Sequence, residues 1–172
     1  MTKGLERLNA LPDEDARSAM LSCCGSTRWA EALTGARPFA NEDELLETAD
    51  RAWQGLARED WLEAFRSHPK IGERKAARGT GDEASRWSRE EQRGAAEAEA
   101  ATLERLARLN RVYEERFGHI FIVCATGRTA AEMLSALEAR LANDAGEELK
   151  VAAREQQRIT RLRLKKLLES LG

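Results

Sequence analysis

Only one stretch of this chain has the composition of a β-strand, and a single strand cannot form a sheet. The stretch Ile120-Phe121-Ile122-Val123-Cys124 consists of five consecutive apolar residues. A strand without a partner leaves its backbone N–H and C=O groups unpaired, so the run fits a buried extended connector equally well. The rest of the chain is rich in alanine, leucine, glutamate and arginine. We therefore predict an all-α chain, a single-domain helical bundle with one short extended apolar connector near residues 120–125.

Proline, glycine and capping residues divide the helical sequence into segments. Pro12 is followed by three acidic residues, as is typical of a helix N-terminus. The predicted N-caps of later helices are Ser26 or Thr27, Asn41 and Thr129. Helices are predicted over residues 12–24, 28–33, 42–57, 59–66, 88–116, 129–141 and 144–171. Residues 74–86 are polar and contain two glycines, which indicates a surface loop.

Composition limits the class of protein. A length of 172 residues favours one domain over residues 1–172. The 28 basic and 30 acidic residues give a net charge of −2, so neither nucleic acid nor an anionic membrane is expected as a partner. No apolar stretch approaches the roughly 18 residues of a membrane span, and no signal peptide is recognised. Three cysteines without paired spacing suit a reducing cytoplasm.

The dipeptide His68-Pro69 places a titratable side chain at a rigid corner. Proline disfavours helix at the residue before it, so His68 is expected at a helix end. Histidine changes charge near neutral pH, which makes His68 a candidate proton-transfer group. The alternative is a solvated histidine that merely ends a helix.

A second candidate group is Ser88-x-x-Glu91-Gln92. Ser88 and Glu91 have the spacing of a capping box, so a purely structural role explains them. In the functional interpretation, Glu91 and Gln92 project from a helix N-terminus, where free N–H groups favour an anionic ligand.

Two further groups have a structural and a functional interpretation. The run 117–127 is either a buried connector between glycines or a segment whose main chain contacts a small polar ring. His119, beside it, is expected to be a partly buried histidine at a helix terminus. Arg163 lies next to the apolar stripe of the last helix, among arginines of a solvated face. It is also placed to reach inward and hold a carboxylate.

Several chemistries have no matching pattern in the sequence. There is no P-loop and no GxGxxG after a strand. Two histidines cannot supply a three-histidine metal site, and no HExxH motif occurs. We therefore expect neither a cofactor nor a metal. Cys23 and Cys124 have no histidine nearby in sequence, but a thiol nucleophile is only weakly excluded, because folding can bring a histidine to a cysteine.

Four motifs follow one another in a fixed order. They are His68-Pro69, Ser88-x-x-Glu91-Gln92, Tyr113-x-x-x-Phe117-Gly118 leading into Phe121-Ile122-Val123-Cys124-Ala125, and Leu162-Arg163-Leu164. Together with Leu8-Asn9-Ala10-Leu11-Pro12, their order and spacing resembles the 2-oxo-4-hydroxy-4-carboxy-5-ureidoimidazoline (OHCU) decarboxylase family over nearly the whole chain. The segment between His68 and Ser88 is a few residues longer than in some relatives.

The resemblance implies an all-α homodimer that needs neither cofactor nor metal and converts OHCU into (S)-allantoin, the last step of urate oxidation. By matched position, His68 is implied to be the catalytic acid/base, with Glu91 beside it. The residues implied to bind the substrate are Pro69, Ser88, Gln92, Phe121, Ile122, Val123, Cys124, Ala125 and Arg163. Two alternatives stay open: a helical interaction module without an active site, and a hydrolase or isomerase of ring ureides that uses the same pocket.

Overall fold

The computed structural model describes residues 2–70 and 100–172. These residues form eight α-helices, and neither range contains a β-strand. The helices are α1 Lys3–Ala10, α2 Asp13–Cys23, α3 Thr27–Gly35, α4 Glu42–Gln54, α5 Arg58–Arg66, α6 Ala100–Phe117, α7 Ala130–Arg140 and α8 Ala145–Leu171. The predicted all-α class is confirmed. The predicted loop 74–86 and the start of the helix predicted from residue 88 lie outside the described residues.

Capping side chains set three of the helix starts as predicted. The side-chain oxygens of Ser26, Asn41 and Thr129 accept the backbone N–H three residues on, at 3.3, 2.9 and 3.1 Å. Each bond satisfies a donor that has no partner within the helix. Helix α4 ends three residues earlier than predicted, because Gly55 follows it and Ala57 already precedes α5 as its N-cap.

Helix α1 precedes the first helix predicted from the sequence. Thr2 caps it by accepting the N–H of Leu5 at 3.4 Å. A Cβ added at Gly4 would lie 1.9 Å from the backbone oxygen of Leu168 in α8. Only glycine therefore allows these two backbones to approach so closely.

Contacts along the chain define two compact units. The first contains Met1–Ser67 and Gln157–Gly172, and the second contains His68–Gln156. Helix α8 runs without a break through the boundary, so it supplies residues to both units. The prediction of one domain over residues 1–172 stays a prediction.

The first unit is built around tryptophan and leucine side chains. Trp29 is fully buried, and its indole Nε1–H donates to the carbonyl of Ala49 at 3.0 Å. Trp53 and Trp61 pack with their ring centroids 5.9 Å apart. The other large side chains that are fully buried in this unit include Leu5, Leu8, Met20, Leu33 and Leu45. Burial of such side chains supplies most of the stabilisation of a helical core.

The second unit has an apolar core between α6, α7 and the residues that join them. The core consists of Leu106, Tyr113, Phe117, Phe121, Val123, Ala125, Ala130, Met133 and Leu137. The joining residues 120–125 form no helix or strand. The apolar run predicted as a connector is thus a buried connector, and its side chains complete the core.

Candidate active site

His68 lies just beyond the C-terminus of α5. The helix ends at Arg66, and Ser67 is its C-cap, with its hydroxyl donating to the carbonyl of Ala64 at 2.7 Å. His68 and Pro69 follow and are both half-buried. The corner predicted from the His-Pro dipeptide is therefore present.

The His68 ring contacts a glutamine from the other end of the second unit. Nε2 of His68 lies 2.5 Å from Oε1 of Gln156 in α8, and the side chain of Gln156 is fully buried. Lys70, directly after Pro69, forms an ion pair with Glu114 of α6, with Nζ and Oε2 2.8 Å apart. The residues on either side of the dipeptide are thus both held. Ser67 is bonded to the last turn of α5, and Lys70 is paired with α6.

The connector predicted to contact substrate is buried over five residues. Phe121, Ile122, Val123, Cys124 and Ala125 are between 2 and 8% exposed. Glycines bound the segment on both sides, Gly118 and Gly127, and both have φ of 76°. This left-handed conformation is one that glycine adopts without strain, so the glycines fix where the connector begins and ends.

A buried ionic network holds the connector from one side. Nη1 of Arg140 donates to the carbonyl of Ile122 at 2.7 Å, and Nε of Arg140 donates to Oε1 of Glu148 at 2.7 Å. The other oxygen of Glu148 accepts from the side-chain amide of Asn143 at 3.0 Å, and the hydroxyl of Tyr113 also donates to the Glu148 carboxylate. Glu148 is fully buried, so these donors replace the water it has lost.

The same network fixes the protonation of Tyr113. Burial and the hydrogen bond to Glu148 raise the pKa of Tyr113 far above its ordinary value, against the opposing charge of Arg140. Tyr113 is therefore a neutral phenol and a permanent donor at physiological pH.

His119 packs in an aromatic cluster. Its ring lies 5.5 Å from the Tyr113 ring in an edge-on arrangement and 6.3 Å from the Phe117 ring. It is 8% exposed, and its Nδ1 lies 3.0 Å from the carbonyl of Ile120. These contacts match the structural role expected for a histidine at a helix terminus.

Arg163 is buried within the first unit. It is 3% exposed, whereas Arg154 and Arg158 of the same helix are exposed. Burial raises the pKa of the Cys24 thiol to about 11, while a backbone hydrogen bond with Ser26, a hydrogen bond with Thr160 and the positive charge of Arg163 oppose that rise. Arg163 is thus a buried cation of the first unit, and its charge opposes the rise in the pKa of Cys24.

Three predicted site residues, Ser88, Glu91 and Gln92, lie outside the described residues. Of the others, the structure places His68, Pro69 and the connector in the second unit and Arg163 in the first. Gln156 and Arg140 are polar residues that the sequence patterns did not single out. Gln156 contacts a residue 88 positions away and Arg140 one 18 positions away, and no pattern of local spacing predicts such contacts.

Residues 2–70 and 100–172 contain neither a cluster of metal-ligating side chains nor a membrane-spanning helix. No three histidine, cysteine, aspartate or glutamate side chains are grouped as metal ligands would be. No helix in these ranges is long and apolar enough to cross a bilayer. The three cysteines are buried and form no disulfide.

Comparison with known proteins supplies the family. The family model described as OHCU decarboxylase matches residues 9–165.

The chain belongs to the OHCU decarboxylase family.

Similar proteins include an OHCU decarboxylase and a uric acid degradation bifunctional protein. The chain is 32% identical over 166 residues to the 2-oxo-4-hydroxy-4-carboxy-5-ureidoimidazoline decarboxylase of Haloferax volcanii, covering 93% of each protein. It is 40% identical over 145 residues to the uric acid degradation bifunctional protein TTL of Arabidopsis thaliana, covering 84% of this chain. The match spans only 45% of the Arabidopsis protein, so the rest of that protein has no counterpart in the comparison.

A solved structure agrees with the OHCU decarboxylase assignment. The crystal structure of an OHCU decarboxylase in the presence of (S)-allantoin is 38% identical, with a TM-score of 0.77 over 92% of this chain and 99% of that one. A second structure, of an (S)-allantoin synthase, has a TM-score of 0.69 at 20% identity, so its similarity is one of fold.

Proposed function

We propose that this protein decarboxylates OHCU to (S)-allantoin in urate degradation. Membership of the OHCU decarboxylase family over residues 9–165 carries the proposal. The relatives in Haloferax volcanii and Amia calva, which are OHCU decarboxylases, support OHCU as the substrate. The structure solved in the presence of (S)-allantoin supports the product.

The substrate itself provides the electron sink. Its reacting carbon carries a carboxylate and a hydroxyl group and adjoins a ring C=N bond. When the bond to the carboxylate breaks and CO₂ leaves, the electron pair passes into that C=N system. The ring nitrogen and the neighbouring ring carbon then each gain a proton, and the hydroxyl loses one as it becomes a carbonyl, so one proton is taken up overall. An enzyme for this reaction must orient the substrate and deliver a proton to one face.

In this proposal His68 transfers the proton. Its position at a proline-fixed corner, half-buried and held through Nε2, supports this role. Glu91 is proposed to assist it, on the resemblance alone. Arg163 is proposed to bind the substrate carboxylate, a role that suits a buried guanidinium.

The proposed substrate-binding set retains the remaining residues implied by the resemblance. It consists of Pro69, Ser88, Gln92 and the connector Phe121, Ile122, Val123, Cys124 and Ala125. The hydrogen bond from Arg140 to the Ile122 carbonyl fixes the main chain of this connector, as a segment that contacts substrate through its main chain requires. A homodimer, from the resemblance, and a cytoplasmic location, supported by three free thiols, complete the proposal.

The decisive test measures the rate and stereochemistry of the product. Urate is oxidised in the presence of the hydrolase that acts on the oxidation product, so that OHCU accumulates, and this protein is then added. We expect faster CO₂ release and a single enantiomer of allantoin by circular dichroism. Racemic allantoin formed at the spontaneous rate would overturn the proposal.

The two histidines provide a matched pair of variants. We expect His68→Asn to lose about 10²–10⁴-fold in turnover, because asparagine cannot accept and return a proton. His119→Asn should keep turnover within about tenfold of the native protein, since the His119 ring packs in the aromatic cluster with Tyr113 and Phe117. Thermal unfolding of both variants separates a catalytic loss from a loss of folded protein. Equal losses of turnover in the two variants would remove the proton-transfer role from His68.

A further inference from the structure

Gln156 is a buried polar side chain that contacts the proposed catalytic histidine. Its side chain is fully buried, and its Oε1 lies 2.5 Å from Nε2 of His68. A buried amide oxygen needs a donor, and the Nε2–H of the imidazole supplies one. The bond therefore satisfies Gln156 and restricts the rotation of the His68 ring at the same time.

The hydrogen bond also determines which ring nitrogen carries the proton. A neutral imidazole has one N–H donor and one bare acceptor nitrogen. When Oε1 of Gln156 accepts from Nε2, the proton of the neutral ring is on Nε2 and the acceptor is Nδ1. An amide acceptor sets this tautomer without adding a charge beside the ring.

Neighbouring contacts hold Gln156 in place. The residue before it, Glu155, is 5% exposed and forms an ion pair with Arg128, with Oε1 and Nη2 3.2 Å apart. Ala152 and Ala153, on the preceding turn of α8, are buried. This turn of α8 is thus packed, and the Gln156 side chain has little freedom to leave His68.

We propose that Gln156 is a positioning residue, which holds His68 with its proton on Nε2 and so makes Nδ1 the nitrogen that accepts a proton in the reaction. The inference rests on the proposed function for its catalytic consequence. Its structural part, the position of the proton on the neutral His68 ring, is independent of the proposed function and is measured without substrate.

The structural part is tested by nuclear magnetic resonance of protein labelled with ¹⁵N in its two histidines. Long-range ¹H–¹⁵N correlations at a pH where the rings are neutral distinguish the two tautomers, and the His119→Asn variant assigns the signals. We expect His68 to be protonated at Nε2 in the native protein. Gln156→Met, which keeps the length of the side chain but lacks the amide oxygen, should shift His68 towards a mixture of tautomers.

Matched variants keep the experiment decisive. Gln157→Met makes the same substitution one residue on, where the side chain is half-buried and lies 3.5 Å from Gln54, and should leave the His68 signals unchanged. Gln156→Glu retains an acceptor oxygen and should keep the proton on Nε2, so it separates loss of the acceptor from a general effect of substitution at this position. If Gln156→Met does not fold, the tautomer of native His68 still decides the structural part. A native His68 protonated at Nδ1, or His68 signals identical in native protein and Gln156→Met, would overturn the inference.

Kinetics test the catalytic consequence separately. We expect Gln156→Met to lower kcat at least about tenfold while KM changes less than about threefold, because the ring and not the substrate loses a partner. Gln157→Met should have the native kcat. If native protein shows no decarboxylase activity but has the expected tautomer, the proposed function fails and the structural inference stands. If activity is present and kcat of Gln156→Met is native, the positioning role is wrong.

Discussion

Burial determines the chemistry of Cys24. The thiol is fully buried, and desolvation raises its pKa from 9.0 to about 11, although Ser26, Thr160 and Arg163 act in the opposite direction. A thiol in this state stays protonated and inert, since the thiolate is the nucleophile. A thiol nucleophile thus has no support at Cys24, and for Cys23 and Cys124 the weak exclusion stays a prediction.

The raised pKa of Cys24 predicts a loss of stability at alkaline pH. Above pH 9 the unfolded chain loses this proton while the folded protein keeps it, so the unfolded state is favoured as pH rises towards 11. We expect this one group to lower the free energy of unfolding by about 2 kcal/mol between pH 8 and pH 10.5.

Cys24→Ala is the control that isolates this effect. Urea unfolding of native protein and variant at both pH values gives the difference in their free energies of unfolding. We expect the advantage of the native protein to shrink as pH rises, while the contributions of other groups, such as Tyr113, cancel. A difference independent of pH would show that the pKa of Cys24 is not raised.

At the scale of single residues, the local sequence predicted where a side chain lies in a helix or at its end better than it predicted which distant side chain it contacts. The His-Pro dipeptide placed His68 at a helix end because proline acts on its immediate neighbour. Nothing in the sequence indicated that Gln156 is buried, since two consecutive glutamines in the middle of a helix are typical of a solvent-exposed face. Its role depends on a contact between residues 88 positions apart.

Among the elements, the connector between α6 and α7 depends on a buried ion pair. Arg140 reads in sequence as a basic residue in the last turn of a helix, and Glu148 as an acidic residue in a first turn, both favoured by helix dipoles. The structure instead buries both and links them to the connector through Ile122. A charge of the favoured sign at a helix end does not show whether the side chain is exposed to solvent or buried in an ion pair.

This ion pair predicts a large effect of a small substitution. Glu148→Gln keeps the shape of the side chain but leaves the Arg140 guanidinium buried without a carboxylate, which we expect to cost about 3–5 kcal/mol. The double variant Arg140→Met with Glu148→Leu should lose much less, because no buried charge is left unpaired. Urea unfolding measures both.

Glu147 offers a matched control for Glu148. It pairs with Arg154 at 3.4 Å, but both side chains are about half exposed. We expect Glu147→Gln to change stability by less than about 1 kcal/mol. Similar losses for Glu147→Gln and Glu148→Gln would contradict the importance assigned to burial.

Helix α1 shows why some elements escape local patterns. Glycine inside a helix costs up to about 1 kcal/mol relative to alanine, so Gly4 weakens any prediction of a helix there. The close approach of Gly4 to Leu168 offsets that cost by packing, and the partner lies at the far end of the chain. The capped helices α3, α4 and α7 were predictable because their signals are local.

On the scale of the whole molecule, the two ends of the chain belong to one unit. Residues 157–172 complete the first unit, with Leu164, Leu167 and Leu168 at most 6% exposed. The side chain of Arg7 also donates to the carbonyl of Leu171. The first unit therefore cannot form its core until the whole chain, including the second unit, has been synthesised.

The continuity of α8 predicts that both units unfold together. If one unit unfolded alone, α8 would have to end at the boundary between Gln156 and Gln157, and that new terminus would leave backbone groups unpaired. We therefore expect a single two-state transition in urea, as the prediction of one domain requires.

Two probes, one in each unit, test this expectation. Trp29, Trp53 and Trp61 lie in the first unit, so in a Trp87→Phe variant tryptophan fluorescence reports on that unit alone. The His119 ring lies in the second unit, and its proton resonances follow that unit in the same urea series. We expect the two midpoints and the two slopes to coincide, because α8 couples the units through uninterrupted backbone hydrogen bonds. Fluorescence and resonance transitions with separate midpoints would mean that the units unfold independently, and the prediction of one domain over residues 1–172 would then be wrong.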